Sequence, residues 1–128
     1  MNSKKPSKQE QIDALIHHRA YDLVIKYAPS KDIDDAEAYR DVFTVKRSEI
    51  LDYLTKNGRF GDLVRITPSD RDGFYAIPNK NSFNTYEQER NFKAMEKNVP
   101  DVQSVWDLFL DYIIRTSGAG LKFSDAKD

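Results

Sequence analysis

Cysteine is absent from the sequence, glycine and proline occur only five times each, and no apolar run approaches the ~20 residues that span a bilayer. Without cysteine, the chain forms neither disulfides nor thiolate sites. The N-terminus also lacks the apolar stretch of a secretory signal, so we expect a cytoplasmic protein. What is present, 39% hydrophobic and 12% aromatic residues among 128, suffices for the core of one globular domain.

No charge of one sign dominates, because 20 basic residues against 21 acidic residues give a net charge of −1. This balance argues against a dedicated nucleic-acid-binding protein, which usually carries a strongly basic surface. One segment stands out: residues 30–43 hold two basic and five acidic side chains, a net charge of −3. Its carboxylates, here called the acidic segment, are Asp32, Asp34, Asp35, Glu37 and Asp41.

The spacing of apolar residues predicts four helices, three before a sheet and one after it. Ser7 and Glu10 form the pattern of a capping box at the start of the first helix, which Pro29 ends. The last helix is apolar on most of its surface, so it is expected to lie between the sheet and the N-terminal helices. The predicted ranges are 7–28, 34–42, 46–57 and 101–115.

Residues that favour strands after Gly58 predict a three-stranded antiparallel sheet over 62–67, 74–77 and 83–86, with a polar connection over 91–100. Because no repeat or long linker divides the chain, 1–128 is predicted to be a single α+β domain. Loose tails are expected at residues 1–6 and about 119–128. Trp106, the single tryptophan, is expected to be buried.

Few residues are candidates for catalysis or metal binding. His17 and His18 are adjacent, about 100° apart on a helix, so they cannot bind one metal ion together. No glycine-rich loop has the spacing of a phosphate-binding motif. Glu87 and Glu89, predicted to share one face of an edge strand, are typical of a solvated surface. The sequence therefore predicts no cofactor, no metal site and no enzymatic activity.

The acidic segment indicates protein binding. Its carboxylates are interleaved with apolar residues, among them Tyr39 and Phe43. Such a mixture suits a surface that attracts a basic partner and then buries an aromatic anchor, for which Tyr39 is the candidate. Burial of Tyr39 and Phe43 in the protein's own core is an equally open interpretation.

Residues 72 to about 115 resemble part of a known family. The run Asp72-Gly73-Phe74-Tyr75-Ala76-Ile77, a turn, the run Tyr86-Glu87-Gln88-Glu89-Arg90 and a closing helix are similar to the C-terminal half of bacterial immunity proteins of polymorphic-toxin and contact-dependent growth inhibition systems. In many of those proteins a strand DGYYVI precedes a strand that ends in Y-x-x-ERG. Asn91 stands in place of that glycine, and asparagine also tolerates a left-handed turn.

Together these observations predict a non-catalytic immunity protein that binds a cognate toxin domain and blocks its basic active-site cleft. A nuclease is one candidate for that toxin. Neither nucleic acid nor a membrane is expected as a partner. The predicted binding residues are Asp32, Asp34, Asp35, Glu37, Tyr39, Asp41, Tyr86, Glu87, Glu89 and Arg90.

Two other hypotheses stay open. One is a winged-helix-like nucleic-acid-binding or regulatory module, with helix 46–57 as the recognition helix and strands 62–67 and 74–77 as the wing. The other is a small enzyme that uses carboxylates as acid and base.

Overall fold

The computed structural model describes residues 5–28 and 36–116, without the side chains of residues 36 and 37. Five helices and three strands make up this part of the chain, and a helix follows the antiparallel sheet, so the predicted α+β class is confirmed. The elements are α1 (Lys8–Ile16), α2 (Ala20–Tyr27), α3 (Ala36–Val42), α4 (Arg47–Asn57), β1 (Gly73–Asn79), β2 (Ser82–Glu89), β3 (Phe92–Val99) and α5 (Val102–Thr116).

The chain divides into two compact units, Met1–Asp52 with Leu110–Asp128, and Tyr53–Phe109. In the first unit, the helices bury a core of aliphatic and aromatic side chains. Its most deeply buried members are Leu15, Val24, Val45, Ile50, Leu110 and Ile113, each at most 1% exposed.

The long helix predicted over 7–28 is wrong, because α1 and α2 are separate helices. His18 between them has a left-handed backbone with φ 59°. Arg19 N donates to Ala14 O (2.6 Å) and His18 N to Leu15 O (3.2 Å), the hydrogen-bond pair of a Schellman motif, in which glycine usually takes the left-handed position. The spacing also predicts an apolar face that ends at Tyr27, which is half-buried, whereas its other members are buried: Ile12, Leu15, Ile16, Ala20, Leu23 and Val24.

A buried glutamine links α1 to the segment that follows α3. Gln11 is 1% exposed, and its Oε1 accepts from the backbone N–H groups of Thr44 (2.8 Å) and Val45 (2.9 Å). Its Nε2 donates to Pro6 O and to Thr44 Oγ1, both at 3.1 Å. Pro6, in the predicted N-terminal tail, is itself buried. Residues 1–4 and the predicted C-terminal tail lie outside the described residues.

The sheet of the second unit has the order β1-β2-β3, with both pairs antiparallel. Three strands were predicted, but the first of them, over 62–67, is wrong. Those residues form a turn with isolated bridges such as Arg65 to Tyr75. The third strand is instead β3, in the stretch 91–100 that was expected to be a connection. Nearly all of β3 is exposed, so it shows no alternation of apolar and polar residues that would reveal a strand.

Trp106 anchors the core of the second unit and is 2% exposed, as predicted. Its indole contacts the rings of Phe60 and Phe109, with centroids 5.0 and 5.9 Å away. Gly58, just after α4, leaves room for this indole, because a Cβ there would lie 2.7 Å from Trp106 Cζ2 and 2.6 Å from Leu54 O. The indole therefore explains why a glycine is needed where α4 ends.

Candidate binding surface

The turn between β2 and β3 brings together the two halves of the sequence motif. Its two residues, Arg90 and Asn91, both have left-handed backbones with φ of 52° and 67°. A two-residue hairpin turn of type I′ requires positive φ at both positions, and asparagine is among the residues that tolerate it. Arg90 N donates to Asp72 Oδ1 at 2.9 Å, which joins the start of the first motif run to the end of the second.

Gly73 has a structural role in the same motif. Its φ is 143°, and a Cβ at this position would lie 2.9 Å from Arg65 Nε. The Arg65 guanidinium lies across this backbone and donates through Nε to Asp72 O at 3.0 Å. A glycine is therefore needed where β1 begins close to the Arg65 side chain.

A bulge interrupts β3 directly opposite Tyr86. Thr85 pairs with Lys97 and Glu87 pairs with Ala94, so two residues of β3, Met95 and Glu96, face the single residue Tyr86. Met95 has φ 57° and is 58% exposed. Left-handed backbone costs a non-glycine residue about 1–2 kcal/mol, and bulges of this kind redirect side chains next to binding sites.

Tyr86 is buried below that bulge, 6% exposed. Its ring stacks on Tyr75 of β1, with centroids 4.7 Å apart and planes 10° from parallel, and Lys93 Nζ lies 4.7 Å from its centroid. The two hydroxyls differ, because Tyr75 OH donates to Arg71 O at 2.6 Å, whereas the buried Tyr86 OH has no partner among the described residues. Burial raises the pKa of the Tyr86 phenol, and the charges of Tyr75 and Glu96 raise it further.

An open pocket of about 450 Å³ adjoins Tyr86, and we call it the Tyr86 pocket. Pro68 and Ile77 contribute apolar lining, and residues of β2 and β3 contribute polar lining. Beside it, residues 69–72 cover Tyr75 and Gln88; Gln88 Nε2 donates to Ser69 O at 2.7 Å and to Arg71 O at 2.9 Å. The polar lining of the pocket includes Asn84, Tyr86, Lys93, Glu96, Lys97 and Asn98.

Most of the acidic segment falls outside what the structure describes, namely Asp32, Asp34 and Asp35. Glu37 lies in α3, and its side chain is not described. Asp41 is half-buried, and its carbonyl accepts from Lys5 Nζ at 3.3 Å.

The aromatic residues of that segment belong to the core. Tyr39 is 2% exposed and Phe43 is 5% exposed. Tyr39 is therefore not an exposed anchor, and the other interpretation, burial inside the protein, is the correct one. The reason is the helical spacing of α3, which directs Ala38, Tyr39 and Val42 inward together.

The predicted residues at the end of β2 divide by exposure. Glu89 and Arg90 are exposed and Glu87 is half-buried, whereas Tyr86 is buried. The expectation that Glu87 and Glu89 lie on an edge strand is wrong, because β2 is the central strand. The edge is β3, whose Phe92 is 81% exposed and whose Met95 is 58% exposed.

The hairpin turn was the signal that could have identified β3. A two-residue turn centred on Asn91 implies a strand on each side of it, yet 91–100 was predicted as a connection. Lys93, Glu96 and Lys97 were missed as candidate site residues for that reason.

The two histidines lie at the C-terminal end of α1. His18 packs edge-on against Tyr112, with ring centroids 5.7 Å apart; burial lowers its pKa, and the charge of His17 lowers it further. Within residues 5–28 and 36–116, no three carboxylates or histidines cluster in a way that could hold a metal ion. In the same part of the chain, no helix combines the length and apolar character needed to cross a membrane.

No family model, curated protein or solved structure matches this chain significantly.

Proposed function

We propose that this chain is a cytoplasmic, non-catalytic immunity protein that binds one cognate toxin domain and blocks its active site. The observation that carries the proposal is the exposed β3 edge, where Phe92 and Met95 place large apolar side chains in solvent. Large apolar side chains on an exposed strand are a liability unless a partner covers them. The hairpin of the motif resemblance leads directly into this strand.

The binding surface is the β2–β3 hairpin from Glu89 to Val99. Arg90 lies in its turn, and Phe92 replaces Tyr39 as the aromatic anchor, because aromatic side chains supply much of the energy of protein interfaces. The acidic segment keeps the role of attracting a basic toxin cleft, since charge patches act mainly on the rate of encounter.

Side chains, and not an added strand, make the contact with the toxin. The bulge at Met95 and Glu96 breaks the regular edge of β3, and lysines at 93 and 97 flank it. Bulges and lysines on edge strands oppose the pairing of a further strand. The apolar side chains beside them stay available for insertion into a partner's pocket.

Survival of bacteria tests this proposal. The proposal expects a large secreted protein with a variable C-terminal domain to be encoded immediately upstream, and cells express that domain together with this chain. The wild-type chain is expected to protect them, and the double variant Phe92→Ser with Met95→Ser is expected to fail. The matched control is Tyr21→Ser with Ile25→Ser on α2, because those side chains are also exposed, at 49% and 43%.

Three results would overturn the proposal: no such neighbouring gene, a neighbouring domain that is not toxic, or equal protection by the folded Phe92 and Met95 variant. Circular dichroism shows whether each variant is folded.

The winged-helix hypothesis loses the element on which it depended. Residues 62–67 form no strand, so they cannot pair with 74–77 as the two strands of a wing. No contact in the described chain favours this alternative over protein binding.

A further inference from the structure

We propose that the Tyr86 pocket is a binding site for a small oxyanion, a carboxylate or phosphate group carried by a free ligand. Part of its lining belongs to the hairpin proposed to contact the toxin, but anion binding is a property of the chain alone, so the inference does not depend on the proposed toxin. Its volume of about 450 Å³ is in the ordinary range for small-molecule sites.

Lys93 supplies the direct positive charge. It pairs with Gln88 across the sheet, so it lies on the same face as Tyr86, and its ammonium is 4.7 Å from the Tyr86 ring centroid. No carboxylate of the described residues forms an ion pair with it. An exposed lysine that lies against an aromatic ring keeps its hydrogen-bond donors for a ligand.

The charge around the pocket also favours an anion. The charged residues that line it are Lys93 and Lys97 against the single carboxylate of Glu96, a net charge of +1. Lys97 also lines the pocket and adds to the local positive field. Glu96 opposes an anion, which makes it a sensitive probe of the sign of the ligand's charge.

The Tyr86 hydroxyl supplies the second donor. It is buried and has no hydrogen-bond partner among the described residues. A buried hydroxyl without a partner is costly, and an oxyanion can accept from it once the Lys93 side chain, which lies over the ring, has moved. The Lys93 side chain is exposed and flexible, so it can shift to admit the ligand at little cost.

The backbone of β3 supports a functional site at this position. The bulge sets two residues against Tyr86, and it requires the left-handed conformation at Met95, φ 57°. Strain of this kind is concentrated at binding sites, where the geometry that it produces is needed.

The test uses NMR titration of the whole chain with inorganic phosphate and, separately, with succinate. Saturable shifts of the β2 and β3 amides are expected for at least one probe, and the stronger probe distinguishes a phosphate from a carboxylate ligand. Lys93→Gln should weaken binding by about tenfold. Glu96→Gln should strengthen it, because it removes the opposing carboxylate.

Two variants separate a built site from general surface charge. Lys80→Asn removes one positive charge from the β1–β2 turn, where asparagine tolerates the φ of 54°, and should leave the affinity unchanged. Tyr86→Phe should weaken binding several-fold without lowering the unfolding free energy, because the hydroxyl that it removes has no partner.

The proposal is overturned if neither probe saturates. It is equally overturned if Lys80→Asn weakens binding as much as Lys93→Gln, if Glu96→Gln weakens binding, or if Tyr86→Phe leaves the affinity unchanged. None of these results bears on the proposed toxin contact, because that contact is tested by bacterial survival and not by anion titration.

Discussion

At the scale of single residues, Gln11 shows how one polar side chain can hold a segment of backbone in place. Its amide makes four hydrogen bonds of 3.1 Å or less, and two of them satisfy the N–H groups of Thr44 and Val45. Buried N–H groups without partners are costly, so the loop after α3 depends on this glutamine.

We predict that Gln11→Leu lowers the unfolding free energy by about 2–4 kcal/mol, although leucine is apolar and similar in size. The substitution removes the partner of the buried Val45 N–H, of the part-buried Thr44 N–H and of Pro6 O, at up to about 1–3 kcal/mol for each group that stays buried, and leucine burial offsets part of this. Urea unfolding followed by circular dichroism measures the change. Gln9→Leu is the control, because Gln9 is exposed and should change stability by less than about 0.5 kcal/mol. Equal stability of the two variants would contradict the assignment.

Single residues also mark where sequence patterns stop being informative. The spacing of Tyr39 fits a buried helix face and an exposed anchor equally well, and only the packed structure separates the two. Tyr86 belongs to a motif, yet neither the bulge opposite it nor its buried hydroxyl without a partner among the described residues can be predicted from that motif. Gln11 was not selected, because a glutamine beside apolar residues usually faces solvent.

At the scale of elements, helices were more predictable than strands. The spacing that predicted helices over 34–42, 46–57 and 101–115 identified α3, α4 and α5 within a few residues. The spacing does not predict the break between α1 and α2, because histidine occupies a position where glycine would have indicated a helix end. The strand β3 escaped because its side chains are exposed on both faces, so its place in the sheet depends on pairing with β2.

The turn that starts β3 leads to a second prediction. Asn91→Val should lower the unfolding free energy by about 1–2 kcal/mol, because a β-branched residue is strained at φ 67°. Asn91→Gly should match the wild type or exceed it slightly, since glycine adopts this backbone freely. Thermal unfolding compares the three chains. If valine and glycine had the same effect, the left-handed turn would be refuted.

The contact between α1 and α2 leads to a third prediction, on pH. The Glu10 carboxylate accepts from Tyr27 OH at 2.8 Å and from Lys26 Nζ at 3.3 Å, and these bonds, the first above all, hold the pKa of Glu10 below its usual value. Because the folded-state pKa is lowered, this contact stabilises the fold above the unfolded pKa. The contribution is lost as pH falls through the folded pKa.

NMR titration of the Glu10 side chain tests this contact. Tyr27→Phe should raise the pKa of Glu10 toward its usual value, whereas Tyr21→Phe on the exposed side of α2 should leave it unchanged. An identical Glu10 titration in wild-type and Tyr27→Phe protein would show that the hydrogen bond does not exist in solution.

At the scale of the whole molecule, opposite charges are concentrated in different parts of the sequence. Residues 30–43 carry a net −3, and residues 90–99 carry a net +2, within a total of −1. Composition alone suggested one acidic binding segment. The fold adds a basic hairpin with exposed apolar side chains, which the sequence pattern had left as a connection. A partner would therefore meet two segments of opposite charge.

Reversal of the acidic segment gives a fourth prediction. Asp34, Asp35 and Glu37, all changed to lysine, should slow association with the toxin domain by at least about tenfold at low salt, because charge patches steer the encounter. Stopped-flow mixing measures the rate. Replacement of Phe92 by serine should instead speed dissociation. An unchanged association rate for the folded triple variant would remove the acidic segment from the mechanism.

Neutralisation of a toxin by binding, as proposed, requires a complex of the two proteins. Isothermal titration of the purified chain into the toxin domain expected to be encoded upstream measures that complex. We predict a one-to-one complex with a dissociation constant of about 10⁻⁸ M or lower, weakened at least about 100-fold by Phe92→Ser with Met95→Ser. The absence of a complex between the two folded proteins, or full toxin activity within a saturated complex, would contradict the account.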